Sequence, residues 1–108
     1  MPTAYKVLGQ AAPAAATLTT LYTVPASTQA VCSTLVVGNR GLSATYRIAI
    51  RPGGASIANQ HYLVYDAAVN QYDSAFFTLG ISLAVGDVVS VYASTADVSF
   101  SLFGAEVT

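Results

Sequence analysis

The 108-residue chain carries four basic and five acidic residues, a formal net charge of −1, and no clustered Lys and Arg of the kind a nucleic-acid surface needs. Its single cysteine excludes an intrachain disulfide and a four-cysteine zinc cage. Charged residues make up only 8% against about 25% in ordinary soluble domains; 21 Ser and Thr, 19 Ala and seven Tyr fill the gap, which suits a β-surface of short side chains.

Residues 5–10 form a short extended piece. The Ala-Ala-Pro-Ala-Ala-Ala run at 11–16 has no amphipathic face, and Pro13 in its middle argues against a helix. Residues 1–16 therefore read as an N-terminal arm and linker ahead of a β-domain at 17–108, the other reading being an ordinary edge strand and loop. The first residues lack the basic-then-apolar order of a secretory signal, and no window approaches the roughly 18 uninterrupted apolar residues of a membrane span. No membrane partner is expected.

Strands then follow at spacings near ten residues. Residues 18–24 end at Pro25, and the β-branched run 29–37 stops at Gly38-Asn39-Arg40-Gly41. Residues 46–51 alternate Tyr46, Ile48 and Ile50 against Arg47, Ala49 and Arg51, placing apolar side chains on one face and two guanidinium groups on the other. Pro52-Gly53-Gly54 ends that strand, because proline fixes φ and glycine accepts positive φ. Residues 61–65 follow, with Asp66 as their stop. Residues 74–79 carry Phe76-Phe77, 87–93 come after the Val85-Gly86-Asp87 turn, and 98–103 alternate Val98, Phe100 and Leu102 against Ser99, Ser101 and Phe103. Seven or eight short strands without a helix predict an all-β, antiparallel β-sandwich, jelly-roll-like, with the arm in front; an immunoglobulin-like sandwich ranks second.

Catalytic chemistry finds little footing. His61 reads as a structural or exposed side chain, and Cys32, inside a β-branched strand, as a buried inert thiol. No Gly-x-Ser-x-Gly elbow occurs, and the acids Asp66, Asp73, Asp87, Asp97 and Glu106 fall at strand ends, where carboxylates cap turns. Asp66 and Asp73 flank a Tyr-rich loop but lack the Asp-x-Asp-x-Asp run of a calcium site. The expectation is no enzyme, no cofactor, no metal and no small-molecule substrate. Tyr22, Tyr46, Tyr62 and Tyr92 read as half-buried core tyrosines, and Tyr65 and Tyr72, beside turns, as exposed ones. Arg47 and Arg51 share a strand face roughly 13 Å apart. With Arg40 in the preceding turn, they are expected to pair with carboxylates on a neighbouring subunit, where the guanidinium fork sets orientation.

Tyr5-Lys6-Val7-Leu8-Gly9-Gln10, Leu21-Tyr22-Thr23-Val24-Pro25-Ala26, Val36-Val37-Gly38-Asn39-Arg40, Val91-Tyr92-Ala93-Ser94-Thr95 and Val98-Ser99-Phe100-Ser101-Leu102-Phe103-Gly104 resemble small structural proteins of tailed bacteriophages, especially cyanophages. The likeness spans almost the whole chain. It implies a virion component: a capsid-decorating (cement) protein, a homotrimer clamping the major capsid protein, or else a tail or baseplate subunit touching a host surface. The expected interface residues are Tyr5, Lys6 and Val7 in an arm that adds a strand to a neighbour, Arg40, Arg47 and Arg51 fixing register, and Tyr65, Asp66 and Tyr72 at the Tyr-rich loop.

Overall fold

The computed structural model describes residues 2–108 and contains eight strands: β1 (Thr3–Ala11), β2 (Thr19–Thr23), β3 (Gln29–Asn39), β4 (Ala44–Arg51), β5 (Tyr62–Val69), β6 (Ser74–Leu83), β7 (Val88–Ala93) and β8 (Val98–Val107). Two single-turn 3₁₀ segments, Pro52–Gly54 and Asn59–His61, lie in the long β4–β5 connection. Sheet A runs β1-β8-β3-β6 and sheet B runs β2-β7-β4-β5, with every pairing antiparallel. The chain thus pairs as one long hairpin, β1 with β8, β2 with β7, β3 with β6 and β4 with β5, folded over on itself. That is the eight-stranded jelly roll, two Greek keys in two packed sheets.

Alternation in the sequence becomes the core. Leu35, Val37, Val98, Phe100 and Leu102 of sheet A meet Leu21, Tyr46, Ile48, Val89 and Val91 of sheet B, all buried. The Tyr46 ring sits edge-on to Phe77 and Phe100, with centroids 6.1 and 6.4 Å away, the arrangement that aromatic quadrupoles favour. At one end of the sandwich, buried Asn39 brackets two turns. Its Nδ2 donates to the carbonyls of Leu42 (2.8 Å) and Asn70 (3.0 Å), and its Oδ1 accepts the Gly41 N–H (3.0 Å).

Three local expectations change. The segment read as an arm is, over Thr3–Ala11, an edge strand of sheet A. It pairs with β8 along its length, and the Lys6 ammonium meets Glu106 Oε1 at 2.9 Å. The boundary at residue 16 falls in the β1–β2 loop, so the strands on either side of it belong to one sandwich. Second, Asp66 does not end its strand. With φ 54° it sits in a β-bulge, and β5 continues to Val69. Third, β6 and β8 run on to Leu83 and Val107, past the ends expected at 79 and 103.

Candidate functional site

The chain offers two outer sheet faces, and they differ in chemistry. On sheet A the register sets Tyr5, Ala105 and Val31 in one outward row, Val7, Phe103 and Thr34 in the next, and Gln10, Ser101, Val36 and Phe76 in a third. No Asp, Glu, Lys or Arg occupies an outward position of these four strands. Lys6 and Glu106 belong to the opposite parity, where Glu106 Oε2 accepts the hydroxyl of Tyr22 from sheet B at 2.6 Å. The Tyr22 hydrogen bond first, and the Lys6 ammonium second, hold the Glu106 carboxyl below its ordinary range. Burial, reinforced by Glu106, pushes the Tyr22 phenol upward. This polar link joins the sheets and leaves the outer face uncharged.

That face is also open. Tyr5 is 86% exposed and Phe76 73%, with Val7 and Val31 each nearly half exposed. Between β1, β8 and β3 runs a groove of about 370 Å³, walled by Tyr5, Val31, Ser33, Phe103, Gly104 and Ala105, with Lys6 of edge strand β1 at its border. Contiguous exposed apolar surface of this kind marks a contact surface more often than a solvated one.

The outer face of sheet B is built around Arg47. The β5 bulge sets two residues, Tyr65 and Asp66, opposite the single Arg47 of β4, so both side chains reach the same guanidinium. Nε donates to Asp66 Oδ1 at 2.6 Å and Nη2 to Oδ2 at 3.3 Å. The guanidinium carbon lies 4.2 Å from the ring centroids of both Tyr65 and Tyr92, and Tyr92 is its cross-strand partner on β7. Such a sandwich uses the π faces as well as the fork. The hydrogen bonds from Arg47 hold the Asp66 carboxyl below its ordinary range. Tyr62 packs edge-on against Tyr65, centroids 4.9 Å apart. The cluster presents planar rings and a paired fork to solvent, suited to hydroxyl-rich or flat ligands.

The other expected residues are spread around the molecule. Arg51 donates to Ser90 Oγ (3.0 Å) and to the Ala55 carbonyl (3.0 Å), which ties the β4–β5 connection across sheet B. Arg40 donates to the Ala96 carbonyl at 3.0 Å, at the sandwich end. Each of the three arginines has an acceptor within its own chain. Tyr72 is 69% exposed in the β5–β6 turn at φ 55°, its N–H on the Gly41 carbonyl, and it does not join the Tyr65 cluster. Asp73 Oδ1 accepts the Ser74 N–H, so Asp66 and Asp73 are engaged separately. His61 is buried with Nδ1 accepting the Ala58 N–H, and burial pushes the Cys32 thiol up to about 11.

Of the four tyrosines expected within strands, Tyr22 and Tyr46 are buried in the core, and Tyr62 and Tyr92 are half-buried on the outer side of sheet B. Phe76 and Val31 were missed as surface residues, while Phe103 lies on the face opposite Val98, Phe100 and Leu102, as its alternation indicated. Parity holds the missing signal for Phe76: once Phe77 and Leu79 point inward, Phe76 must point out. No protein-family description and no curated protein sequence matches the chain, so the surfaces themselves carry the functional argument.

Proposed function

We propose that this chain is a structural subunit of a tailed-phage virion, a capsid decoration (cement) protein that binds the outer capsid surface and stiffens the shell by non-covalent clamping. The observation that carries the reading is the uncharged outer face of sheet A, with Tyr5 and Phe76 open to solvent. Such a face loses little by desolvation when covered, since it holds no ion to strip of water. The sequence resemblance to phage structural proteins supplies the setting. Repetition of the contact around a shell adds modest contacts into firm attachment.

The direct test mixes the purified chain with capsids that lack it and measures copies bound per particle. Saturable binding on the order of hundreds of copies fits decoration. A few copies per particle, confined to tails, favours the second reading, a tail or baseplate subunit that touches a host surface. The Arg47–Tyr65–Tyr92 cluster supports that alternative, because stacked rings beside a carboxylate–guanidinium pair suit a sugar. In that case Tyr65→Ala lowers adsorption to host cells without changing assembly.

A further inference from the structure

We infer that β6 is the strand through which two copies of this chain pair, edge to edge and antiparallel, about a two-fold axis beside Phe76 that stands perpendicular to sheet A. This contact uses the backbone of the sheet edge and leaves the outer face of sheet A open, so it goes beyond the capsid reading and does not depend on it.

Four strands end the two sheets, and three of them are built against further pairing. β1 carries Lys6 and a bulge at Leu8, and β2 is five residues long with a bulge at Leu21. β5 has two breaks in register and Asp66 at φ 54°. Charges, bulges and short length are how edge strands avoid a partner. β6 holds no charged residue and no proline. Its one irregularity lies between Thr78 and Ile81, which leaves Ser74–Thr78 as a regular stretch. On the far side of the sandwich β1 is backed by β2, where Gly9 approaches Leu21. Among the described residues β6 has no comparably close neighbour in sheet B, and its inward Phe77, Leu79 and Ile81 are only half-buried.

The sequence of that stretch points to a second copy. The Asn39 N–H donates to the Asp73 carbonyl at 2.9 Å. Alternation from there turns the backbone groups of Ala75 and Phe77 toward β3, and those of Ser74, Phe76 and Thr78 toward the open edge. Ser74-Ala75-Phe76-Phe77-Thr78 is complementary to itself when reversed about Phe76. Phe76 meets its own counterpart, small Ala75 meets large Phe77, and Ser74 meets Thr78, hydroxyl beside hydroxyl. Aromatic pairs and Ser–Thr pairs are among the cross-strand combinations that stabilise a ladder.

The Phe76 and Thr78 N–H groups gain carbonyl acceptors on the other copy, while the Ser74 N–H keeps its bond to Asp73 Oδ1 at 2.8 Å. Roughly four hydrogen bonds therefore join the copies. The two Asp73 carboxylates fall at opposite ends of the paired stretch, roughly 20 Å apart at about 3.3 Å per residue. That exceeds the screening length of about 8–10 Å, so they do not oppose the contact. The two-fold axis closes the assembly at two copies, which separates it by mass from the trimer that the resemblance implies.

Sedimentation of the full chain across the micromolar range is expected to give twice the 11.1 kDa protomer mass at the upper end. Phe76→Lys and Phe76→Glu each set like charges directly opposite one another and weaken the pair by about tenfold or more. Mixing the two variants restores it, because the axis places position 76 beside position 76. Thr78→Pro removes an N–H that faces the open edge, so it breaks the pair while circular dichroism stays that of the parent; if proline unsettles the fold, the charge pair decides alone. Tyr5→Ser, on the face and away from β6, leaves the mass unchanged. A monomer throughout, a trimer, a dimer indifferent to Phe76→Lys, or charge variants that stay monomeric when mixed overturns the inference. Capsid binding is read separately. A monomeric chain that still decorates capsids removes the dimer alone, and a dimer that binds no capsid removes the decoration reading alone.

Discussion

Replacing Gly9 with alanine tests how β1 is held in the sandwich. Gly9 opposes Leu102 in the β1–β8 ladder, just past the bulge at Leu8, and faces β2. A Cβ at this position would overlap the Leu21 carbonyl oxygen and stand 3.1 Å from the Leu21 carbonyl carbon and 3.5 Å from Tyr22 Cβ. The obstruction is the Leu21 backbone, so no rotamer relieves it and β1 must move away from β2. Overpacking of this kind costs about 1–3 kcal/mol. The smaller backbone entropy of alanine in the unfolded chain returns only about 0.4–1 kcal/mol at an unstrained site. Each kcal/mol moves the midpoint of a domain this size by about 4–8 °C. Thermal and urea unfolding, followed by tyrosine fluorescence and circular dichroism, should show Gly9→Ala melting several degrees below the parent with an unchanged urea slope. Gly80→Ala is the control, since a Cβ there meets no atom within 4 Å, and its change should stay within about 0.5 kcal/mol. Equal midpoints for the two variants would refute the claim that close approach of β1 to β2 closes this edge.

Asn39→Ala removes the bracket between the β3–β4 and β5–β6 turns and leaves the buried ends of its hydrogen bonds unpaired. A loss of about 2–3 kcal/mol in urea unfolding is expected; a change under 1 kcal/mol would mean that solvent replaces those bonds. Glu106, held below its ordinary value of 4.5, contributes fully above the unfolded-state value, and that contribution is lost as pH falls through the folded-state value. Unfolding midpoints measured from neutral pH down into the acid range should therefore decline less steeply for Glu106→Gln than for the parent, and parallel curves would contradict the Tyr22–Glu106–Lys6 link. Cys32 is buried, with its thiol pushed up to about 11. A thiol reagent should label it only at the rate of unfolding, and rapid stoichiometric labelling of the native chain would show the strand open.

Much of the fold was legible because strand periodicity is local. Val98, Phe100 and Leu102, or Tyr46 and Ile48, declare their inward face within a few residues, and Pro52-Gly53-Gly54 ends β4 where the turn chemistry says it should. Asp66 misled because a carboxylate after a strand usually caps a turn. Here it takes a left-handed φ inside the ladder and makes a bulge, which depends on what β4 sets opposite it. The candidate surfaces were half legible. Tyr5, Val7, Tyr65 and Arg47 could be named, but Phe76 and Tyr92 waited on knowing which side of each strand the partner sheet covers.

By itself the sequence determined an all-β, charge-poor domain and the inward face of its strongly alternating strands, because hydrophobic alternation and turn residues act over a few residues. The tertiary structure decided the rest. The Lys6–Glu106 contact joins residues 100 positions apart and makes the expected arm an edge strand. Arg47 finds Asp66 on the neighbouring strand, within its own chain. The uncharged face exists only because β1, β8, β3 and β6 lie side by side, each contributing a few neutral outward side chains. No short window of the chain contains that surface; pairing across long sequence separations assembles it.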